Sequence, residues 1–240
     1  MTEAVIQADR PRTLPMFAGL FVALTLLLGA VIVVHFYVDY RAERTLRDTR
    51  ETLNVELARR ALAADIAAVT TDLMFLGRLV ESLSFDPVVA EGRERYLAEV
   101  FLTFAREKAL YDQIRFLDVQ GQEVVRVNLA GGDPVLVDGS QLRDKSGRYY
   151  VAKALRLDKG QVYLSPLDLN IEDGVVEQPI KPVLRFATPV FDAGGRRQGL
   201  VVLNYLGDRL LERFRQAAAN IADHMQLLKA DAYWLSSQSP

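Results

Sequence analysis

The 240 residues predict an α+β protein: an N-terminal transmembrane helix running into a long helix, then a domain on a roughly five-stranded antiparallel sheet. Three observations carry that expectation. Residues 14–38 hold no charge. Residues 62–83 carry an aliphatic stripe at helical spacing. Beyond residue 110 the apolar positions recur every second residue, in two hairpins.

The run LPMFAGLFVALTLLLGAVIVVHFYV, residues 14–38, reaches roughly 37 Å as a helix, more than the hydrocarbon core of a bilayer. The following VDYRAERT offers no small-residue cleavage site, so the segment reads as an uncleaved anchor rather than a signal peptide. Arg10 and Arg12 precede it, and Arg41, Arg44, Arg47 and Arg50 follow it. Charge counting alone would keep the C-terminal part inside the cell. Acidic residues intersperse those arginines, however, and long domains translocate despite such charge, so the count leaves the orientation open.

No glycine or proline interrupts residues 39–76, and the helix is expected to continue from the span. Leu62, Ile66, Val69, Leu73, Leu76, Val80 and Leu83 alternate spacings of four and three. Such a stripe must be buried, on its own domain or against a partner helix in a homodimer, and the two are compatible if different turns serve each. Phe85-Asp86-Pro87 should break the helix, and Arg93 to Lys108 forms a second amphipathic one. Strands follow at Tyr111–Val119 and Glu123–Leu129 around a turn at Gly121-Gln122, closed by Gly-Gly-Asp-Pro at 131–134. A helical piece at Arg148–Arg156 and a strand at Gln161–Leu164 lead to an acidic loop. The second hairpin, Val183–Asp192 with Gln198–Tyr205, turns at residues 193–196. A helix at Arg209–Ala222 and strands beginning at Met225 and Ala232 complete the order.

There is no cysteine, which excludes disulfides, thiolate catalysis and the usual structural zinc sites. The net charge of −2 gives no reason to expect nucleic acid. His35 lies in the span and His224 on the last helix, leaving little for metal or acid–base chemistry. Asp168 and Glu172 form an acid pair, but carboxylates in a Gly- and Pro-containing loop are ordinarily solvated. No nucleophile triad, phosphate loop or nucleotide fingerprint is present, so the chain is read as no enzyme, with no catalytic residue, metal or cofactor.

Alternation assigns the strand faces. Tyr111, Gln113 and Arg115 share one, as do Val124, Arg126 and Asn128; on the third long strand Val183, Arg185 and Ala187 oppose Leu184 and Phe186. One sheet face is thus apolar enough to pack on the long helix, and the other is studded with arginines. A guanidinium matches a carboxylate because its paired donors form a fork. With tyrosines nearby, Arg185 fits a small-ligand pocket. Internal salt bridges to Asp168, Glu172, Asp173 or Glu177 fit the same spacing.

YDQIRFLDVQGQEVVRVN (111–128), RYYVAKALRLDKGQVYLSPLDLNIEDG (148–174) and KPVLRFATPVFDAGGRRQGLVVLNY (181–205) resemble the double Cache, PAS-like periplasmic sensor regions of bacterial histidine kinases and diguanylate cyclases. The resemblance covers about residues 93–205. It implies a cytoplasmic tail (1–13), a transmembrane helix (14–38), a stalk helix (39–84) and a membrane-distal Cache domain (85–222). Residues 223–240 would open a second, truncated module. It also implies residence in the bacterial inner membrane, with 39–240 periplasmic, and output domains that the chain lacks. Its pocket wall would include Arg126, Asn128 and Arg185 on the sheet, and Tyr149, Tyr150 and Lys153 on the crossover helix. Tyr163, Ser165 and Asn170 would complete it from the loop. The expected function is a membrane-anchored sensor that binds a small, anionic ligand, with a homodimer as its assembly. The alternative is a ligand-free tethered interaction or dimerisation module.

Overall fold

A computed structural model describes residues 13–83, 92–172, 175–176, 178, 180–217, 226–228 and 234–237. The expected helix break at Phe85-Asp86-Pro87, the N-terminal tail, His224 and most of the chain past residue 217 lie outside the described residues. By internal packing the chain forms two units, residues 1–53 and 54–240.

Helix α1 spans Thr13–Leu83. From residue 14 to 38 it carries no charge, and Phe17, Leu20, Leu24, Leu27 and Val31 are all more than half exposed. By length and composition this helix can cross a membrane. Just past the apolar run, the Arg41 and Arg44 guanidiniums lie over the Tyr37 and Tyr40 rings one turn back, at 5.1 and 4.9 Å. Basic and aromatic side chains are the residues that suit a membrane–water boundary.

In the second unit α1 shows its stripe at work. Val69, Leu73, Leu76 and Val80 are buried, with Leu62, Ile66 and Leu83 packed at the margin of the same core. Burial of the stripe on its own domain is observed. Gly77 permits the approach, since a Cβ there would lie 3.1 Å from Thr188 Cγ2. Helix α2, Arg93–Lys108, adds Leu97, Ala98, Phe101 and Ala105 to that core.

The sheet is antiparallel throughout. Its strands are β1 (Tyr111–Leu117), β2 (Glu123–Ala130), β3 (Asp133–Leu136), β4 (Tyr163–Leu164), β5 (Asp168–Leu169), β8 (Pro182–Phe191) and β9 (Arg197–Leu206). Their order is β3-β2-β1-β9-β8-β4, with β5 also on β8. Helix α3 (Tyr149–Ala154) crosses between β3 and β4, and α4 (Gly207–Ala217) leaves β9. The short β6 (Ile171–Glu172) and β7 (Val175–Val176) pair with each other alone, as do β10 (Gln226–Leu228) and β11 (Trp234–Ser237). The expected five-stranded core is thus extended by two short additions, β3 beyond Gly132 and β5 in the acidic loop. Four- and two-residue pieces are too short for alternation to reveal them.

Two bulges redirect side chains. In β1, Tyr111 opposes Tyr205 and Gln113 opposes Asn204, so Asp112 is the extra residue. Tyr111 therefore joins the α1 core, where its hydroxyl donates to Asp72 at 2.6 Å, instead of sharing the Gln113–Arg115 face that strict alternation assigned. In β2 the register moves from Phe116↔Val125 to Leu117↔Glu123, making Val124 the extra residue. That slip places Glu123 on the same face as Arg115 and Arg126. Where β1 and β9 meet beyond these bulges, Gly199 has φ +152, and any Cβ there would strike the Leu117 carbonyl oxygen.

Candidate ligand-binding site

The face of the sheet away from α1 carries Gln113, Arg115, Arg126, Arg185 and Asn204, and all five are buried. Register explains their meeting: Arg115 is opposite Arg126, Gln113 is opposite Asn204, and Asn204 is opposite Arg185. Helix α3 lies over them. Tyr150, Val151 and Ala154 pack on Leu117, Ala187, Leu200 and Val202, a second and smaller apolar cluster. A buried cation beneath such a helix requires partners, and the partners divide the face into two groups.

The first group centres on Glu123. Its carboxylate lies 2.9 Å from Arg126, 3.6 Å from Arg115 and 3.9 Å from the Lys145 ammonium, and all four side chains are buried. Arg126 also donates to the Gln141 carbonyl at 3.1 Å. Arg126 is thereby committed to a buried network, and its counter-ion among the described residues is Glu123. The neighbouring Asn128 is partly buried on β2, opposite Gln113 and Val135.

The second group centres on Arg185, which is 1% exposed. Its backbone is fixed by Ser165: Ser165 N donates to Arg185 O at 2.9 Å, and Arg185 N donates to Ser165 Oγ at 2.9 Å. The edge is interrupted here, because β4 pairs with residues 186–187 of β8 and β5 with 182–183. Ser165-Pro166-Leu167 bridges the gap, and a proline suits an edge where no ladder donor is needed. The Arg185 guanidinium donates from Nη2 to Asn170 Oδ1 at 3.1 Å, and its Nη1 lies 3.8 Å from Asp168 Oδ2. Among the described residues, Nη1 finds no hydrogen-bond partner.

Tyr150 joins the two groups. The guanidinium carbons of Arg185 and Arg115 lie 5.3 and 5.8 Å from the centre of its ring. Its hydroxyl accepts from Arg115 Nη1 at 3.2 Å, and Arg115 Nη2 donates to Asn204 Oδ1 at 2.6 Å. Burial, and then the like charge of Arg115, pull the Arg185 guanidinium below its ordinary pKa. A site that disfavours its own cation in this way is one where an anion gains most.

The rim is aromatic. Tyr149 is exposed and donates its hydroxyl to Asp168 Oδ2. Burial, followed by that hydrogen bond, pushes the Tyr149 hydroxyl up to about 12. Burial also raises Tyr163. Lys153 stands over both rings, 5.9 Å from each centre. The structure thus gathers Tyr149, Tyr150, Lys153, Tyr163, Ser165, Asn170 and Arg185 around one point and leaves Arg126 with Glu123. Arg115, Asn204 and Asp168 belong to the gathering but were absent from the expected wall. Arg115 shares the parity of Gln113, whereas the register shift between Val190 and Phe191 hides the pairing of Asn204 with Arg185 from a count made from the turn. Of the other acids considered as internal partners, Asp173 and Glu177 lie outside the described residues.

Comparison with known proteins agrees with this architecture. The family model described as bacterial histidine kinase, sensor domain, matches residues 67–240. No curated protein matches the chain in sequence. Among solved structures, a domain of a protein assigned to the sensory box/GGDEF family of Vibrio parahaemolyticus is similar at 25% identity and TM-score 0.52, over 78% of this chain and 74% of that one. The extracellular domain of a chain assigned as histidine kinase vpHK1S-Z8 is similar at 25% identity and TM-score 0.51, over 78% and 70%. The sensory domain of the Campylobacter jejuni chemoreceptor Tlp3, with isoleucine bound, shares the fold at 11% identity and TM-score 0.51, over 72% and 65%.

Proposed function

Because the chain belongs to the family of bacterial histidine kinase sensor domains, we propose that it is the extracytoplasmic input region of a membrane-anchored receptor and that it binds a small carboxylate. The single observation that carries the ligand class is Arg185. It is a fully buried guanidinium whose Nη1 makes no hydrogen bond among the described residues, facing a rim of Tyr149, Tyr163 and Lys153. A carboxylate there would take charge-assisted hydrogen bonds, each worth roughly 1.5–3 kcal/mol. Arg115 and Tyr150 form the floor of the site, and Ser165 and Asn170 its near wall; Arg126 acts through the Glu123 network that holds Arg115.

The wider arrangement is part of the same proposal. Residues 14–38 span the inner membrane, 39–84 form the stalk, 85–222 the membrane-distal sensor and 223–240 the opening of a second module, with 39–240 in the periplasm. Two chains associate through α1. Ligand would shift the equilibrium only by as much as it favours one conformation. The residues that can transmit such a shift are those of β8 and β9, which lead directly into α4, where Arg213 is paired with Asp65 of α1 at 2.7 Å.

The test is a thermal-shift screen of carboxylates on the full chain in detergent, with Arg185→Ala as control. Amino acids make a first panel, since a sensory domain of this fold was crystallised with isoleucine. Stabilisation of the wild type and none of Arg185→Ala is expected. Equal response of the two, or none by any anion, would leave the ligand-free interaction module as the reading. A reporter fused after Leu83 should be active only outside the cytoplasm, and activity inside would reject the topology.

A further inference from the structure

Building on the anion-binding role of Arg185, we propose that Asp168 is the specificity-determining residue of the site: a built-in counter-ion that an incoming carboxylate must replace, releasing β5 from the edge of β8 as it does so. Asp168 holds two groups at once. Its Oδ2 accepts from the Tyr149 hydroxyl and stands 3.8 Å from Arg185 Nη1, a distance that neutralises charge without forming a directional bond. The guanidinium is fully buried, whereas the Asp168 side chain is 29% exposed, so the site is reached from the Asp168 side.

The strap that carries Asp168 meets β8 in short stretches, with Ser165 held to the Arg185 backbone and Asn170 Oδ1 to Arg185 Nη2. Strand β5 has two residue pairs with β8, Asp168↔Val183 and Leu169↔Pro182, and the next tie is the Asn170 N–H to the Lys181 carbonyl at 3.1 Å. Beyond it, β6 pairs only with β7 and not with the sheet. Two carboxylates cannot share one guanidinium nitrogen and one hydroxyl without repulsion. An arriving carboxylate therefore exchanges for Asp168 at constant charge, so that Arg185 is never buried without a counter-ion, and Asp168 moves to solvent with β5. The exchange also selects the ligand. The newcomer must accept from Arg185 Nη1 and from Tyr149 Oη together, which needs two oxygens sharing a negative charge. A neutral amide cannot replace the lost charge, and a halide cannot span both donors.

Internal competition lowers the apparent affinity of the wild type by the fraction of time Asp168 occupies the site. The experiment uses the full chain in lipid nanodiscs, with acetate and propionate as probes and propionamide as the neutral control. Calorimetry should show Asp168→Asn binding propionate at least about tenfold more tightly than wild type, Tyr149→Phe binding it more weakly than wild type, and propionamide binding to none of them. Amide hydrogen exchange at Leu169 and Asn170 should be faster in unliganded Asp168→Asn, approaching the rate of propionate-saturated wild type. Equal or weaker propionate binding by Asp168→Asn, with wild-type binding intact, would mean that Asp168 touches the ligand or is a bystander, and the counter-ion role falls while the anion site stands. Unchanged exchange at residues 169–170 would overturn the release of β5 on its own, with or without a ligand. If neither folded protein binds either carboxylate, the anion site itself falls and the counter-ion role with it.

Discussion

The face of the sheet turned to α1 and α2 carries Ile114, Phe116, Val125, Val127, Phe186 and Leu203, while the face turned to α3 carries Gln113, Arg115, Arg126, Arg185 and Asn204. Both are cut from the same four strands and both are buried, so burial does not distinguish them. The difference lies in what each face demands of its neighbours. An aliphatic side chain is satisfied by any close-packed surface, and the α1 stripe provides one. A buried guanidinium is satisfied only by a particular acceptor at a particular place, and Arg185 is satisfied incompletely. One face therefore supplies stability, and the other holds an imbalance that a small anion can correct.

Four changes test that contrast, from the largest expected effect to the smallest. Glu123→Ala removes the carboxylate that faces Arg115, Arg126 and Lys145, and should cost about 3–5 kcal/mol of unfolding free energy in denaturant titration. A loss below about 1 kcal/mol would mean that water already screens those charges. On the apolar face, Leu73→Ala should cost about 3 kcal/mol, because a fully buried leucine leaves a cavity that the surrounding helix and sheet cannot close. A negligible cost would place the stripe at a mobile surface instead.

Arg185→Met separates the two roles within the polar face. It keeps much of the volume and removes the incompletely paired cation, so stability without ligand should change by less than about 1 kcal/mol while carboxylate binding is lost. A large loss of stability would make Arg185 a structural strut like Arg126.

The smallest effect is a titration. Burial and the bond to Asp168 raise the Tyr149 hydroxyl to about 12, so the folded state favours the protonated form. The stabilisation from this group is complete below the ordinary tyrosine value near 10 and is lost as pH rises through about 12. Ultraviolet titration of wild type against Tyr149→Phe should therefore differ by one tyrosine ionising near pH 12. A difference near pH 10 would mean that the Tyr149–Asp168 bond is not formed in solution.

Much of the candidate site was legible in advance because parity within a strand is a local property. The alternation of Leu184, Arg185 and Phe186 separates the arginine from the core, and β4 and β5 bring the loop after Tyr163 beside it. What parity could not show was pairing. Arg126 has the same parity as Arg115 and was grouped with Arg185, yet its partner Glu123 reaches that face only through the bulge at Val124. Asp168 looked like one of several solvated acids until β5 seated it against β8.

By itself the sequence determined the apolar helix at 14–38, the buried stripe of α1, the two hairpins and the cationic character of one sheet face, because each is a periodic pattern written over consecutive residues. Only the tertiary structure decided which acid answers which arginine, that Asn204 lies opposite Arg185, and that Tyr150 stands between Arg115 and Arg185. Those contacts join residues up to 35 positions apart in the chain or depend on a single inserted residue in a strand. One slip of register turns a side chain to the opposite face, and no local pattern records where the slip occurs.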